Sequence, residues 1–140
     1  MTAVNGQAFQ WPVRVYYEDT DAQGVVYYAN YFRFLERART EWRGSLGVDM
    51  VALMAEERRI FVVAEVQARF LVPARLNDNL IVTARLTGLT RVSFDIEQNI
   101  YRGAIDDEHL LAANVKAAYL DADTMRPKRI PLTLFGDSQS

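Results

Sequence analysis

The chain reads as an α+β fold in which one antiparallel sheet curls round a single long helix. Three features of the sequence predict this. Apolar residues follow a helical period over residues 29–46, and the period changes to two at Ile60 and stays there to Tyr119. No further helical stretch separates the later strands, whereas a doubly wound parallel sheet would alternate the two.

The elements follow in order. Residues 1–10 read as a loose lead-in, and "VRVYYE" (Val13 to Glu18) as a short β-branched and aromatic first strand. A helix is expected from about Ala29 to Leu46. Tyr31, Phe34, Leu35, Ala38, Trp42 and Leu46 form its apolar face, and Glu36, Arg37, Arg39, Glu41 and Arg43 fill the other positions. Gly47 is a natural terminator, and Asp49 caps a second short helix through about Glu57. Then Val62, Ala64, Val66, Ala68 and Phe70 alternate with polar residues until Pro73 and "RLNDN" break the run. Leu80, Val82, Ala84 and Leu86 form the next strand, followed by Val92, Phe94 and Ile96. Beyond the turn "RGAIDDEH", Leu111, Ala113, Val115, Ala117 and Tyr119 complete the set, giving five strands. "DADTMRPKRIP" closes the ordered part, and "GDSQS" (136–140) reads as a loose end. The outer face of such a sheet needs solvent or a partner, which makes a homo-oligomer the natural expectation.

Size and composition narrow the function classes. At 140 residues, half of them hydrophobic, the chain is expected to be a single domain with a proper core. A formal charge of −2 with mixed signs argues against nucleic acid or an anionic membrane as partner. The absence of cysteine excludes disulfides, zinc thiolates and a cysteine nucleophile, and fits a reducing compartment. The start "MTAVNGQAFQWPV" lacks the charge and apolar run of a signal peptide, and no apolar run approaches the ~18 residues of a membrane span. A cytoplasmic location is the expectation.

The only histidine, His109, falls in the polar hairpin "DDEHL", poorly placed for a Ser-His-Asp triad or a metal site. Asp106, Asp107 and Glu108 lack calcium-loop spacing and read as a solvated turn. No Gly-rich phosphate loop or dinucleotide fingerprint is present. Carboxylates are therefore the serious catalytic candidates, and they concentrate in "YYEDTDAQGVVYYANYF" (Tyr16 to Phe32). Gly24 permits positive φ and close backbone approach, and the helix that follows begins with amides that have no intrahelical acceptor. Such donors suit a carbonyl oxygen gaining charge, and a carboxylate just upstream suits a nucleophile or general base. An oxyanion donor of this kind is worth roughly 10²–10³ in rate. The structural alternative stands beside this: aspartates in glycine turns before helices are usually caps or Asx turns, and aromatic runs are usually core.

The stretch "YYEDTDAQGVVYYANYFRFLERART" resembles the hotdog-fold acyl-CoA thioesterases of the 4-hydroxybenzoyl-CoA thioesterase group, and is most similar to the tol-pal-associated branch. "FVVAEVQARFLVPARLNDNLIVTARL" resembles that branch's strand, "PAR" bend and acidic turn, so the likeness runs from about Val13 to Tyr119. The resemblance implies a hotdog fold, a sheet wrapped round one long central helix. It also implies that Asp21 is the catalytic aspartate, that Gly24 and Val25 form the turn behind it, and that the Tyr28 amide polarises the thioester carbonyl. Asp19 matches a turn-forming position. By the same analogy Tyr31 lies near the acyl pocket, and Arg91 and Ser93 fall where relatives contact the phosphates of coenzyme A. The chain departs from the pattern in two places. Tyr28 stands where the tol-pal branch has histidine ("YHASY"), closer to the "YPNY" of the 4-hydroxybenzoyl branch. Thr90 and Val92 stand where that second branch has further basic residues.

The expectation that results is an acyl-CoA thioesterase releasing free acid and coenzyme A, with the site at the interface of a dimer or a dimer of dimers. Coenzyme A is then part of the substrate, and no metal or redox cofactor is implied. An acyl-carrier-protein thioesterase, a hotdog hydratase and a non-catalytic acyl-binding module are the rivals.

Overall fold

A computed structural model describes residues 8–135. The strands are β1 (Phe9–Arg14), β2 (Arg59–Phe70), β3 (Asn79–Leu89), β4 (Ser93–Arg102) and β5 (Glu108–Asp121). Helix α1 spans Asn30–Ser45, and a short helix α2 (Met50–Ala52) continues as a π turn over Leu53–Glu57. The sheet is five-stranded in the order β1-β3-β4-β5-β2, with every neighbour antiparallel. This is the expected α+β arrangement, with α1 across one face of the sheet.

The first strand lies earlier than "VRVYYE". Phe9 and Gln10, expected in a loose lead-in, pair with Ala84 and Thr83 on β3. Asp19 explains why the strand ends at Arg14. Its buried carboxylate accepts the Tyr16 amide at 2.9 Å, which draws Tyr17–Asp19 into a 3-10 turn instead of a strand. Residues 1–7 and the tail 136–140 lie outside the described residues.

Helix α1 buries Tyr31, Phe34, Leu35, Ala38 and Trp42, the period expected of it. Gly47 ends it at φ +85°, a conformation that costs a residue with a Cβ about 1–2 kcal/mol. Asp49 then caps α2, its Oδ1 accepting the Val51 and Ala52 amides at 3.0 Å.

Two departures matter for function. Strand β2 carries a bulge between Val63 and Glu65 that breaks its simple alternation. Before the bulge Phe61 packs against the core, and beyond it Ala68 does. The second departure is on α1, where Arg39 and Arg43, counted with the polar face, are both buried. Arg39 donates to Gln98 Oε1 at 3.0 Å, and the Gln98 amide nitrogen donates to the carbonyls of Leu35 and Thr83. This polar belt divides the core into a part around Phe34 and Tyr31 and a part around Trp42 and Phe94.

The C-terminal segment is ordered further than "DADTMRPKRIP". Phe135 is fully buried, stacking on Trp42 and packing edge-on to Phe94. The outer face of the sheet is polar, with Arg85 and Glu97 ion-paired at 2.9 Å. Among the described residues no helix is long and apolar enough to cross a membrane.

Candidate active site

The loop from Thr20 to Val26 folds tightly on itself. The Asp21 amide donates to the Val25 carbonyl at 2.9 Å, and the Gly24 amide to the Asp21 carbonyl at 3.1 Å. Gly24 takes φ +81°, the left-handed conformation that its lack of a Cβ permits. The loop is laced to the segment after β2: Val26 N–H donates to the Ala74 carbonyl at 2.8 Å, and Leu76 N–H to the Gly24 carbonyl at 3.1 Å. The "PAR" bend and the aspartate loop therefore hold one another in place.

Asp21 uses its two oxygens differently. Oδ1 accepts the Gln23 amide at 2.8 Å and the Val25 amide at 3.4 Å, an Asx turn. Oδ2 has no partner among the described residues, and the side chain is exposed. The structural and the catalytic readings of this residue are thus compatible, because they use different atoms. Asp19 is tied down instead, by the Tyr16 amide and, at 3.4 Å, by the Asn30 side chain.

The chain then enters α1 without a side-chain cap at Ala29 and without an acid in the first turn. Tyr28 N–H finds no acceptor among the described residues, although its carbonyl accepts the Tyr31 amide. An unsatisfied donor beside the positive end of a helix attracts developing negative charge. Beside it opens a cleft of about 200 Å³ lined by Val26, Tyr28, Tyr31, Phe70, Leu71, Val72 and Pro73. Tyr31 is buried there, its hydroxyl accepting the Ala74 amide at 2.9 Å, and burial raises its pKa above the ordinary tyrosine value. Phe70 packs edge-on against Tyr28, Tyr31 and Phe32.

Sequence reasoning did not single out the β2 end of this cleft, Phe70 to Pro73. The available signal was the apolar run "FLVP" directly before the bend. Asp21 itself does not line the cleft, and one chain leaves its open oxygen facing solvent.

Arg91 and Ser93 sit elsewhere. Arg91 lies in the β3–β4 turn and Ser93 at the first position of β4, while the aspartate loop bridges Arg75, before the start of β3. The eleven residues of β3 lie between, roughly 35 Å at the usual strand rise. Arg91 is exposed and makes no ion pair among the described residues, and its carbonyl accepts the Ile130 amide at 2.7 Å. The Ser93 hydroxyl is already hydrogen-bonded to Thr90 at 2.7 Å. Within one chain, then, the structure brings Gly24, Val25, Tyr28 and Tyr31 to the region of Asp21, and leaves Arg91 and Ser93 at the far end of the sheet.

His109 lies at the start of β5 and not in the hairpin turn. Its ring stacks on Tyr101, and Nε2 is 2.8 Å from Asn99 Oδ1. In the acidic stretch before it Asp107 accepts the Ala104 amide at 3.1 Å, and Glu108 pairs with Arg102.

Comparison with known proteins shows the family and the fold. The family described as the thioesterase-like superfamily matches residues 15–135. The chain is 40% identical over 134 residues to the acyl-CoA thioester hydrolase YbgC of Escherichia coli O6:H1, covering 96% of this chain and 98% of that one. The crystal structure of a probable thioesterase from Bartonella henselae superposes with a TM-score of 0.83 at 32% identity, over 89% of this chain and all of that one. The 4-hydroxybenzoyl CoA thioesterase from Pseudomonas sp. strain CBS-3 shares the fold with a TM-score of 0.83 at 19% identity, over 92% and 97% of the two chains. A tight aspartate loop, an uncapped helix start and a hotdog sheet thus occur together in a chain that belongs to the thioesterase-like superfamily.

Proposed function

We propose that this protein hydrolyses acyl-CoA thioesters, with Asp21 and the Tyr28 amide as its catalytic groups. The observation that carries the reading is the division of labour in the aspartate loop. One Asp21 oxygen fixes the loop while the other stays open, and seven residues later an unsatisfied N–H stands beside an apolar cleft. The family and the YbgC relatives support the thioester as the bond broken.

In this scheme the thioester oxygen accepts the Tyr28 N–H and the acyl group enters the cleft between Tyr28, Tyr31 and Phe70. Asp21 Oδ2 then removes a proton from a water that adds to the carbonyl carbon. The tetrahedral oxyanion rests on Tyr28 N–H, and its collapse breaks the C–S bond. The thiolate leaves with the proton that Asp21 holds. In the nucleophilic variant Oδ2 itself adds to the carbon, expels the thiolate and leaves a mixed anhydride for water to cleave. No metal or redox group takes part in either.

The reading extends to a homo-oligomer acting in the cytoplasm, a location that the cysteine-free composition fits. Edge strand β2 exposes Val63 (44%), Val66 and Phe70 (49%), a poor surface to leave in water. Arg91 is too far from Asp21 to meet the same coenzyme A within one chain, so we assign its phosphate contact to a site on another copy.

The experiment is thiol release over short aliphatic, long aliphatic and aromatic acyl-CoAs. A single turnover in ¹⁸O water accompanies it. Label in the Asp21 carboxyl marks the anhydride route, and label in the acid alone fits both general-base attack and water addition at the acyl carbon of the anhydride. Acyl-CoA binding with no thiol released overturns the reading.

A further inference from the structure

Arg102 is the last residue of β4, and it breaks the pattern of its strand. Phe94, Ile96, Gln98 and Ile100 alternate along β4 as its fully buried residues. Arg102 continues that alternation and stands opposite the buried Leu80 of β3, so its side chain leaves the sheet on the core side. There it is only 27% exposed, and each of its nitrogens has an acceptor. Nε donates to Asp78 Oδ2 at 2.9 Å and Nη2 to the Pro73 carbonyl at 2.6 Å, while Nη1 meets Glu108.

Two of these acceptors are the ends of one bend. Pro73 and Asp78 bracket the segment between β2 and β3, and Asp78 Oδ2 also accepts the Arg75 amide at 2.8 Å. The residues between them carry the groups on which the candidate site hangs. The Val26 and Leu76 amides cross between the bend and the aspartate loop, Val25 bridges Arg75, and the Ala74 amide holds the Tyr31 hydroxyl. The guanidinium therefore clips the bend at both ends, and the bend carries the loop whose Asp21 oxygen is open. Arg102 itself neither lines the cleft nor bonds to Asp21. The cleft wall is anchored separately, because the Leu71 and Val72 amides donate to the Leu110 carbonyl of β5 at 2.8 and 3.2 Å. Releasing the clip loosens the bend and the loop on it, and leaves Leu71 and Val72 tied to β5.

We infer that Arg102 is a positioning residue for the hydrolysis proposed above: it clamps the Pro73–Asp78 bend and, through it, fixes Asp21 Oδ2 relative to the Tyr28 amide. The inference rests on that reading of Asp21 and adds the residue that sets the spacing of base and oxyanion donor. A planar fork of donors spans a carbonyl and a carboxylate at once, whereas a lysine ammonium keeps the charge but acts from a single point. A displacement of about 1 Å at a reacting group can cost about 100-fold in rate, so a small drift of the loop is read in kcat.

Arg102→Lys tests this, with Asp78→Asn as a second variant that keeps an oxygen for the Arg75 amide and removes the charge facing Arg102. Each is expected to lower kcat about tenfold and to leave KM within about threefold, because the base moves and the cleft wall does not. Hydrogen exchange reads the cause without substrate. The Val26 and Leu76 amides are expected to exchange about tenfold faster in both variants, and those of Leu71 and Val72 at the parental rate. Placed on Asp21→Asn, Arg102→Lys should change the remaining rate less than about twofold, because a residue acting through Asp21 then has nothing to position. A lower melting temperature with kcat unchanged, parental exchange at Val26 and Leu76, or a tenfold loss that persists on Asp21→Asn overturns the positioning role and leaves the reading of Asp21 intact. If Asp21→Asn hydrolyses as fast as the parent, the reading of Asp21 fails and the positioning role falls with it.

Discussion

Asp21 is the residue on which the proposed chemistry turns, and its geometry separates folding from catalysis. An asparagine in its place would keep an oxygen for the Gln23 amide, so Asp21→Asn is expected to melt within about 2 °C of the parent while kcat falls at least 100-fold or so. A loss of less than about tenfold with the fold intact contradicts the base or nucleophile role. Tyr28 should behave in the opposite way. Its proposed contribution is the backbone N–H, so Tyr28→Ala is expected to retain kcat within about tenfold and to act mainly on KM through the cleft wall. Tyr31 is a third case. Tyr31→Phe strands the buried Ala74 amide and is expected to cost about 1–3 kcal/mol, read as a lower melting temperature. The sequence made Asp21 conspicuous because a motif carries local chemistry. It showed only that Tyr31 is on a buried face, since its hydroxyl partner lies 43 residues away on the bend after β2.

At the scale of elements, the order and extent of β3, β5 and α1 were legible because their periods reach an unambiguous core. The errors came where tertiary contacts override a local pattern. Asp19 bends the chain that "VRVYYE" would otherwise keep extended, and the β2 bulge shifts which residues face inward. Arg39 and Arg43 were assigned to the solvent face because charge outweighs position in a periodicity count. Yet they flank the apolar stripe closely enough for their stems to lie in it. Gln98 is the element-level consequence, a neutral acceptor joining α1, β3 and β4 around Arg39. Gln98→Leu keeps volume but removes the acceptor, and is expected to destabilise by about 3 kcal/mol in urea titration. A neutral result would mean that Arg39 turns to solvent once released.

At the scale of the whole molecule, the sequence placed Asp21 and Arg91 in one site by analogy, and it had no means of showing that β3 holds them at opposite ends. The separation has a consequence that does not depend on oligomer size. If each site draws Asp21 from one copy and Arg91 from another, Asp21→Asn and Arg91→Ala chains are both poor at low acyl-CoA concentration. Refolded together in equal amounts, they form some sites with neither substitution. Half the sites receive an intact Asp21, and half of those receive an intact Arg91. About a quarter of the parental rate should therefore return, in a dimer or in a larger assembly. Sites confined to a single chain would instead show no recovery above the average of the two separate variants. Subsaturating substrate is essential to the measurement, because loss of a phosphate contact raises KM and leaves kcat nearly unchanged. The same mixture at several salt concentrations isolates the contribution of Arg91. Its hold on phosphate is an exposed charge contact, so the difference between parental and Arg91→Ala KM should shrink as salt rises.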